Sequence, residues 1–196
     1  MHGLLVAFEG LDQSGKQTQA ELLRDRLTDR QRDVQLFSFP DYDTPIGAEI
    51  GAALAGGRSY EPDAMQLLYV VNRYEWRQRM LEARAAGTVL LCDRFIASSV
   101  AYGEAQGLDA AWLAAIQRHL PQPDLTILLD ISPEESARRK RADRDTYERD
   151  LGLLGRVRGS YLRQAESGWV RIDAERARDD VAADVLAAVE RALQPA

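Results

Sequence analysis

The sequence predicts an α/β fold of three layers, a five-stranded parallel sheet with helices on both faces. Three observations carry that expectation. Short apolar runs alternate with helical stretches about five times. No internal repeat or low-complexity segment interrupts the alternation. The chemically informative residues also sit just after three of the apolar runs, where ligands of a parallel sheet gather.

The elements follow in order. Leu4–Phe8 is a nearly continuous apolar run before a glycine-rich turn, as expected of a central strand covered on both faces. Ala20, Leu23 and Leu27 recur at helical spacing over 17–30, and 34–39 reads as a second strand stopped by Pro40. A short helix is expected over 46–54, broken by Gly56 and Gly57. Pro62 then opens a long helix to Ala85, ended by Gly87. Further strands are expected at 88–92, 125–131 and 169–172. Pro133 starts one more helix, and the last runs from Arg176 to Leu193. Ser98, Ser99 and Tyr102 fall on a short helical turn after the third strand.

Bulk properties narrow the function. With 196 residues, 45% of them apolar and 29% charged, the chain fits one α/β domain with room for a small lid. Its formal charge is -6, so a polyphosphate must be held by local cations rather than a global field, and nucleic acid is not an expected partner. One cysteine, Cys92, allows no intrachain disulfide and suits a reducing cytoplasm. The isolated His2 and His119 form no zinc spacing. Residues 1–8 lack the pattern of a signal peptide, and no run reaches membrane-spanning length.

The segment Gly10-Leu11-Asp12-Gln13-Ser14-Gly15-Lys16-Gln17-Thr18 carries the strongest chemical signal. Gly10 and Gly15 permit dihedrals and close approaches that a Cβ would obstruct. Amides of the loop and of the next helix can then point at phosphate oxygens. Lys16 adds a compact cation for the β and γ phosphates, and Thr18 offers a hydroxyl to the α phosphate. Gln17 stands where a hydroxyl that helps hold Mg²⁺ is normally found, so its amide is expected to meet the ion through water or to contact phosphate directly. Asp12 would be repelled by phosphate, so a sugar hydroxyl of a second substrate suits it better.

Other residues point to that second substrate. Asp93 and Arg94 end a strand, the carboxylate facing metal-bound water or the acceptor and the guanidinium clamping phosphate. Tyr69 and Arg73 lie one turn apart on a helix, where a base could stack on the ring with its phosphate near Arg73. Between Arg138 and Arg149 there are six basic and three acidic residues. Asp143, Arg144, Asp145 and Thr146 suit a rigid helix poorly, so an arginine-rich lid is expected at about 138–150.

Taken together the chain resembles the thymidylate kinases of the P-loop nucleoside monophosphate kinase group. The likeness rests on Phe8–Lys16, Phe39-Pro40, Leu67–Glu75, Asp93-Arg94-Phe95, Leu129–Glu134 leading to Arg139, and Thr146-Tyr147-Glu148. It implies transfer of the γ-phosphoryl of ATP to thymidine monophosphate, with Mg²⁺, in a homodimer. It implies that Asp12 meets the sugar hydroxyl, Tyr69 stacks on thymine, and Arg73 reads its edge. Arg94 and the backbone at Phe39 and Pro40 would bind the acceptor phosphate, with Asp93 on the metal and acceptor side. Ser98 and Tyr102 would line the pocket, Tyr147 would close over the sugar, and Arg139 would pack on adenine. Some relatives place a catalytic arginine where Gln13 stands here, so this chain should draw one from the lid, Arg141 or Arg144.

Two departures stand out. Gln17 replaces Ser or Thr, which implies weaker metal binding. Tyr42 replaces an arginine near the acceptor phosphate, which implies either weaker acceptor binding or a clamp carried by another arginine such as Arg94. The apolar surface of the long helix, including Met65, Trp76 and Met80, is expected to serve a dimer. Two other functions fit the residues: a kinase for another pyrimidine nucleoside or nucleotide, and a nucleotide-binding regulatory module.

Overall fold

The computed structural model describes residues 3–139 and 150–194. Five strands, β1 (Leu5–Glu9), β2 (Val34–Ser38), β3 (Val89–Asp93), β4 (Leu125–Asp130) and β5 (Val170–Asp173), form one sheet in the order β2-β3-β1-β4-β5. All four pairings are parallel. Phe8 pairs with Asp93 on one side and with Ile127 on the other, which brings the carboxyl ends of the three central strands to one level. The expected strands lie within one or two residues of those observed.

Eight helices surround the sheet among the described residues: α1 (Lys16–Asp29), α2 (Pro45–Leu54), α3 (Pro62–Ala85), α4 (Ile96–Ala105), α5 (Ala110–Ala115), α6 (Pro133–Arg139), α7 (Leu151–Ala165) and α8 (Arg178–Leu193). Successive residues of β1 feed opposite faces, as the pleat requires. Val6 and Phe8 join the larger core with α1, α4, α7 and α8, whereas Leu5 and Ala7 join the core under α3. Every residue of β1 is buried, which explains a strand without polar alternation.

Local signals set the helices that matter for the cleft. Thr44 caps α2 by accepting from Gly47 N at 3.0 Å, with Pro45 in the first turn. Asp150 caps α7 in the same way, accepting from Leu153 N at 3.0 Å. Helix α1 begins differently. Its N-cap is Gly15, with no side-chain cap and no acidic residue in the first turn, so its leading N–H groups face the loop before it.

Three readings need correction. Ser98, Ser99 and Tyr102 lie on a ten-residue helix, α4, rather than a short turn. Helix α7 has no counterpart among the elements expected from the sequence. Met65 and Met80 are buried within the chain and Trp76 packs on the core under α3, so these residues complete this chain's own core. The exposed large apolar side chains of α3 are Leu67 and Val71. Among the described residues no helix is long and apolar enough to cross a membrane.

Candidate active site

The loop between β1 and α1 is held by its own backbone. Ser14 N donates to Leu11 O at 3.2 Å, and Gln19 N donates to Gly15 O at 2.9 Å. Gly10 has a φ of 143°, and a Cβ there would fall 2.4 Å from Leu129 O, so only glycine lets the loop pass this close to β4. Lys16 is buried, and its Nζ donates to Leu11 O at 2.8 Å. Burial, and next Arg94, push its pKa down to about 8 against the pull of Asp93, Asp12 and Glu9. An arriving polyphosphate would hold it protonated to higher pH.

Gln17 and Thr18 occupy the exposed first turn of α1, and Gln17 Nε2 donates to Glu21 Oε1 at 3.0 Å. Gln13 adopts a φ of 61°. Its carbonyl accepts from Arg139 Nη1 at 3.2 Å, and Arg139 also donates to Ala174 O at 2.8 Å and Glu135 Oε1 at 2.7 Å. Arg139 therefore ties the loop to the turn after β5. Arg141, Arg144 and Tyr147 lie outside the described residues.

Beyond the loop lies an open cleft. Phe39, Pro40 and Tyr42 line one side, Gln66, Tyr69 and Arg73 of α3 another, and Ser98, Ser99 and Tyr102 of α4 a third, with Asp12 and Arg94 at the end nearest the loop. Arg73 is buried and its Nη1 donates to Ser99 Oγ at 2.7 Å and Gln117 Oε1 at 3.1 Å. Its Nε is buried with no partner among the described residues, as is Gln66 Oε1. Unpartnered buried polar atoms at a cleft await a ligand with matching groups. Burial pushes the Arg73 pKa down to about 10, although Glu9 pulls it up.

Arg94 belongs to both halves. Its Nη1 donates to Gly10 O of the loop at 3.2 Å and approaches Ser98 Oγ at 3.3 Å. Its Nη2 pairs with Asp12 Oδ1 and lies 3.3 Å from Tyr102 OH, while Tyr102 OH donates to Asp12 Oδ2 at 2.8 Å. Burial opposes the charge on Arg94, yet Asp12, Tyr102, Tyr161 and Asp93 together outweigh it and hold the pKa well above the usual value. Burial alone would raise the Asp12 carboxyl, but Arg94 and Lys16 with hydrogen bonds from Tyr102 bring it down to about 2.

Asp93 Oδ1 and Ser14 Oγ are buried and have no partner among the described residues. Two orphaned oxygens beside Lys16 suit a hard cation or its waters. No three His, Cys, Asp or Glu side chains group into a metal cage among the described residues. A cation here would need phosphate oxygens among its ligands, which is how Mg²⁺ is usually held at such sites.

Sequence reasoning placed most of these residues but missed Glu9, Gln66, Gln117 and Tyr161. Glu9 had one available sign, a lone carboxylate ending an apolar strand. Gln66 lies one turn before Tyr69 on α3, where helical spacing could have found it, whereas Gln117 and Tyr161 join the site through Arg73 and Arg94 across 44 and 67 residues.

A glycine-rich phosphate loop opening a helix, facing a second cleft across a shared arginine, defines a P-loop phosphotransferase with two substrate sites. The thymidylate kinase family profile matches residues 8–185. The chain is 37% identical to the thymidylate kinase of Arabidopsis thaliana over 179 residues, 91% of this chain and 68% of that one. It is 33% identical to that of Schizosaccharomyces pombe over 190 residues, covering 94% and 90%. It is 38% identical to a probable thymidylate kinase of Pyrococcus abyssi over 205 residues, covering 98% of each. Thymidylate kinase from Candida albicans superposes with a TM-score of 0.83 at 29% identity, covering 97% of this chain and 92% of that one. The chain belongs to the thymidylate kinase family.

Proposed function

We propose that this chain transfers the γ-phosphoryl group of ATP to thymidine 5′-monophosphate, giving ADP and the diphosphate. The observation that carries the reading is the double membership of Arg94, which lines the acceptor cleft while donating to Gly10 of the phosphate loop. An acceptor phosphate gripped there would face the γ phosphate held by the loop amides of Gly10 and of Gln13 to Gly15, by Lys16 and by Thr18. Acceptor phosphate is already anionic and needs little base assistance. Placing it in line and absorbing charge on Lys16 and arginines then supplies most of the catalysis. The residues suited to hold Mg²⁺ or its waters are Asp93 and Ser14, with Gln17 contributing through water, and the ion when bound would neutralise phosphate charge.

In the acceptor cleft, Tyr69 supplies a ring for the base and Arg73 its edge contact, with Ser98 and Tyr102 along the wall. Asp12 faces the sugar, and the backbone at Phe39 and Pro40 faces the phosphate. Arg139 borders the adenine side. Tyr147 and a catalytic arginine, Arg141 or Arg144, complete the site from the lid. The exposed Leu67 and Val71 on α3 support a homodimer through that helix.

Steady-state turnover with thymidine, deoxycytidine and uridine monophosphates tests the acceptor. Highest kcat/KM with thymidine monophosphate is the expected result. Clear preference for either of the others would overturn the substrate assignment.

A further inference from the structure

The steps above leave the buried carboxylate of Glu9 unused. Glu9 ends β1, is fully buried, and makes no ion pair among the described residues. Phe95 N donates to its Oε1 at 2.9 Å. Its Oε2 accepts from Ser98 Oγ at 2.6 Å and from Tyr161 OH at 3.3 Å. Those two hydroxyl oxygens lie 2.9 Å apart. The same pair approaches Arg94, whose Nη1 is 3.3 Å from Ser98 Oγ and 3.4 Å from Tyr161 OH. Two hydroxyls therefore stand between a buried anion and the guanidinium that serves both substrate sites.

Proton bookkeeping gives this arrangement a direction. Each hydroxyl has one proton to donate and lone pairs to offer, whereas a carboxylate only accepts and a guanidinium only donates. Ser98 and Tyr161 satisfy both neighbours only by pointing protons at Glu9, or at each other, and lone pairs at Arg94. Glu9 thus sets the polarity of the relay, and the relay sets where Nη1 lies. Arg94 needs such support, because its φ of 61° is a sparsely populated conformation for a residue with a Cβ. Asp12 and Tyr102 restrain the other nitrogen, Nη2. Tyr161 arrives from α7, 67 residues along the chain from Arg94.

We propose that Tyr161 is a positioning residue for the acceptor-phosphate clamp, its hydroxyl coupling the buried Glu9 carboxylate to Nη1 of Arg94. The inference rests on the reading that Arg94 grips the acceptor phosphate. A tyrosine that merely fills the core would serve as well without its hydroxyl.

The test compares two ligands that differ only in phosphate. Affinities of the whole chain for thymidine monophosphate, thymidine and ATP are measured by calorimetry for wild type, Tyr161→Phe and Arg94→Lys, alongside thermal midpoints. Tyr161→Phe keeps the ring in the core and should weaken thymidine monophosphate about tenfold, the scale of a lost hydrogen bond to a charged group. Thymidine and ATP should stay within about twofold of wild type, a change worth under half a kcal/mol. Equal weakening of the monophosphate and the nucleoside, or none of either, would make Tyr161 core filler and overturn the inference. If Arg94→Lys leaves the preference for the monophosphate intact, the clamp reading itself fails, and the inference with it. Should Tyr161→Phe not fold, Glu9→Gln reads the same ratio. Removing a negative charge favours phosphate by Coulomb attraction alone. A fall in preference would therefore identify positioning, and a rise would refute it.

Discussion

Replacing Asp12 with asparagine isolates the ion pair at the centre of the cleft. In the folded chain the Asp12 pKa is about 2, against an ordinary value of 3.8. A tenfold change in proton affinity corresponds to about 1.4 kcal/mol, so the ionised carboxylate stabilises the fold by about 2 kcal/mol near neutral pH. The sign follows from the depressed pKa. The contribution is complete above the unfolded value and is lost as pH falls through the folded one. Urea unfolding, followed by circular dichroism at steps between about pH 7 and pH 2.5, measures the gap between wild type and Asp12→Asn. That gap should be about 2 kcal/mol from pH 7 to about pH 4, then narrow steadily. The narrowing separates Asp12 from other paired carboxylates, such as Asp130 and Glu135, because those are common to both proteins. A gap that does not change with pH, or no gap at neutral pH, would refute the reasoning.

Other outcomes follow from the same geometry. Gln17→Thr removes only the exposed contact to Glu21, worth a few tenths of a kcal/mol, so the thermal midpoint should barely move. The Mg²⁺ concentration for half-maximal activity should fall severalfold, and an unchanged requirement would show that Gln17 has no bearing on the ion. ATP affinity of the free protein should decline as pH rises through about 8, because Lys16 then loses its charge; calorimetry across that range would show a flat profile if it does not. Introducing glutamate at Leu67 or Val71 should shift the chain to monomer in sedimentation velocity, whereas an unchanged sedimentation coefficient would remove α3 from the interface.

The sheet was legible because its central strands β1, β3 and β4 are largely buried on both faces and each apolar run stops at a turn or a charged residue. The long helix was legible from Pro62 to Ala85 for a related reason, a proline in the first turn and a glycine after the last. Helix α7 escaped notice because Gly152, Gly155 and Gly159 dilute its apolar spacing, although Asp150 caps it cleanly. The phosphate loop is contiguous, so its chemistry reads directly. The cleft is not contiguous: Arg94 meets Asp12 across 82 residues and Tyr161 meets Glu9 across 152. No local pattern records such contacts. The same limit explains Met65, Met80 and Trp76, whose apolar faces could serve this chain's core or a partner until the packing around α3 is seen.

The central claim is that one cleft brings two phosphates together across Arg94 and the loop. Product formation from ATP labelled at the γ phosphorus, with and without thymidine monophosphate, tests it most directly. The label should pass into thymidine diphosphate, and ADP release should depend on the acceptor. ADP release at the same rate without acceptor, with the label recovered as inorganic phosphate, would contradict the account.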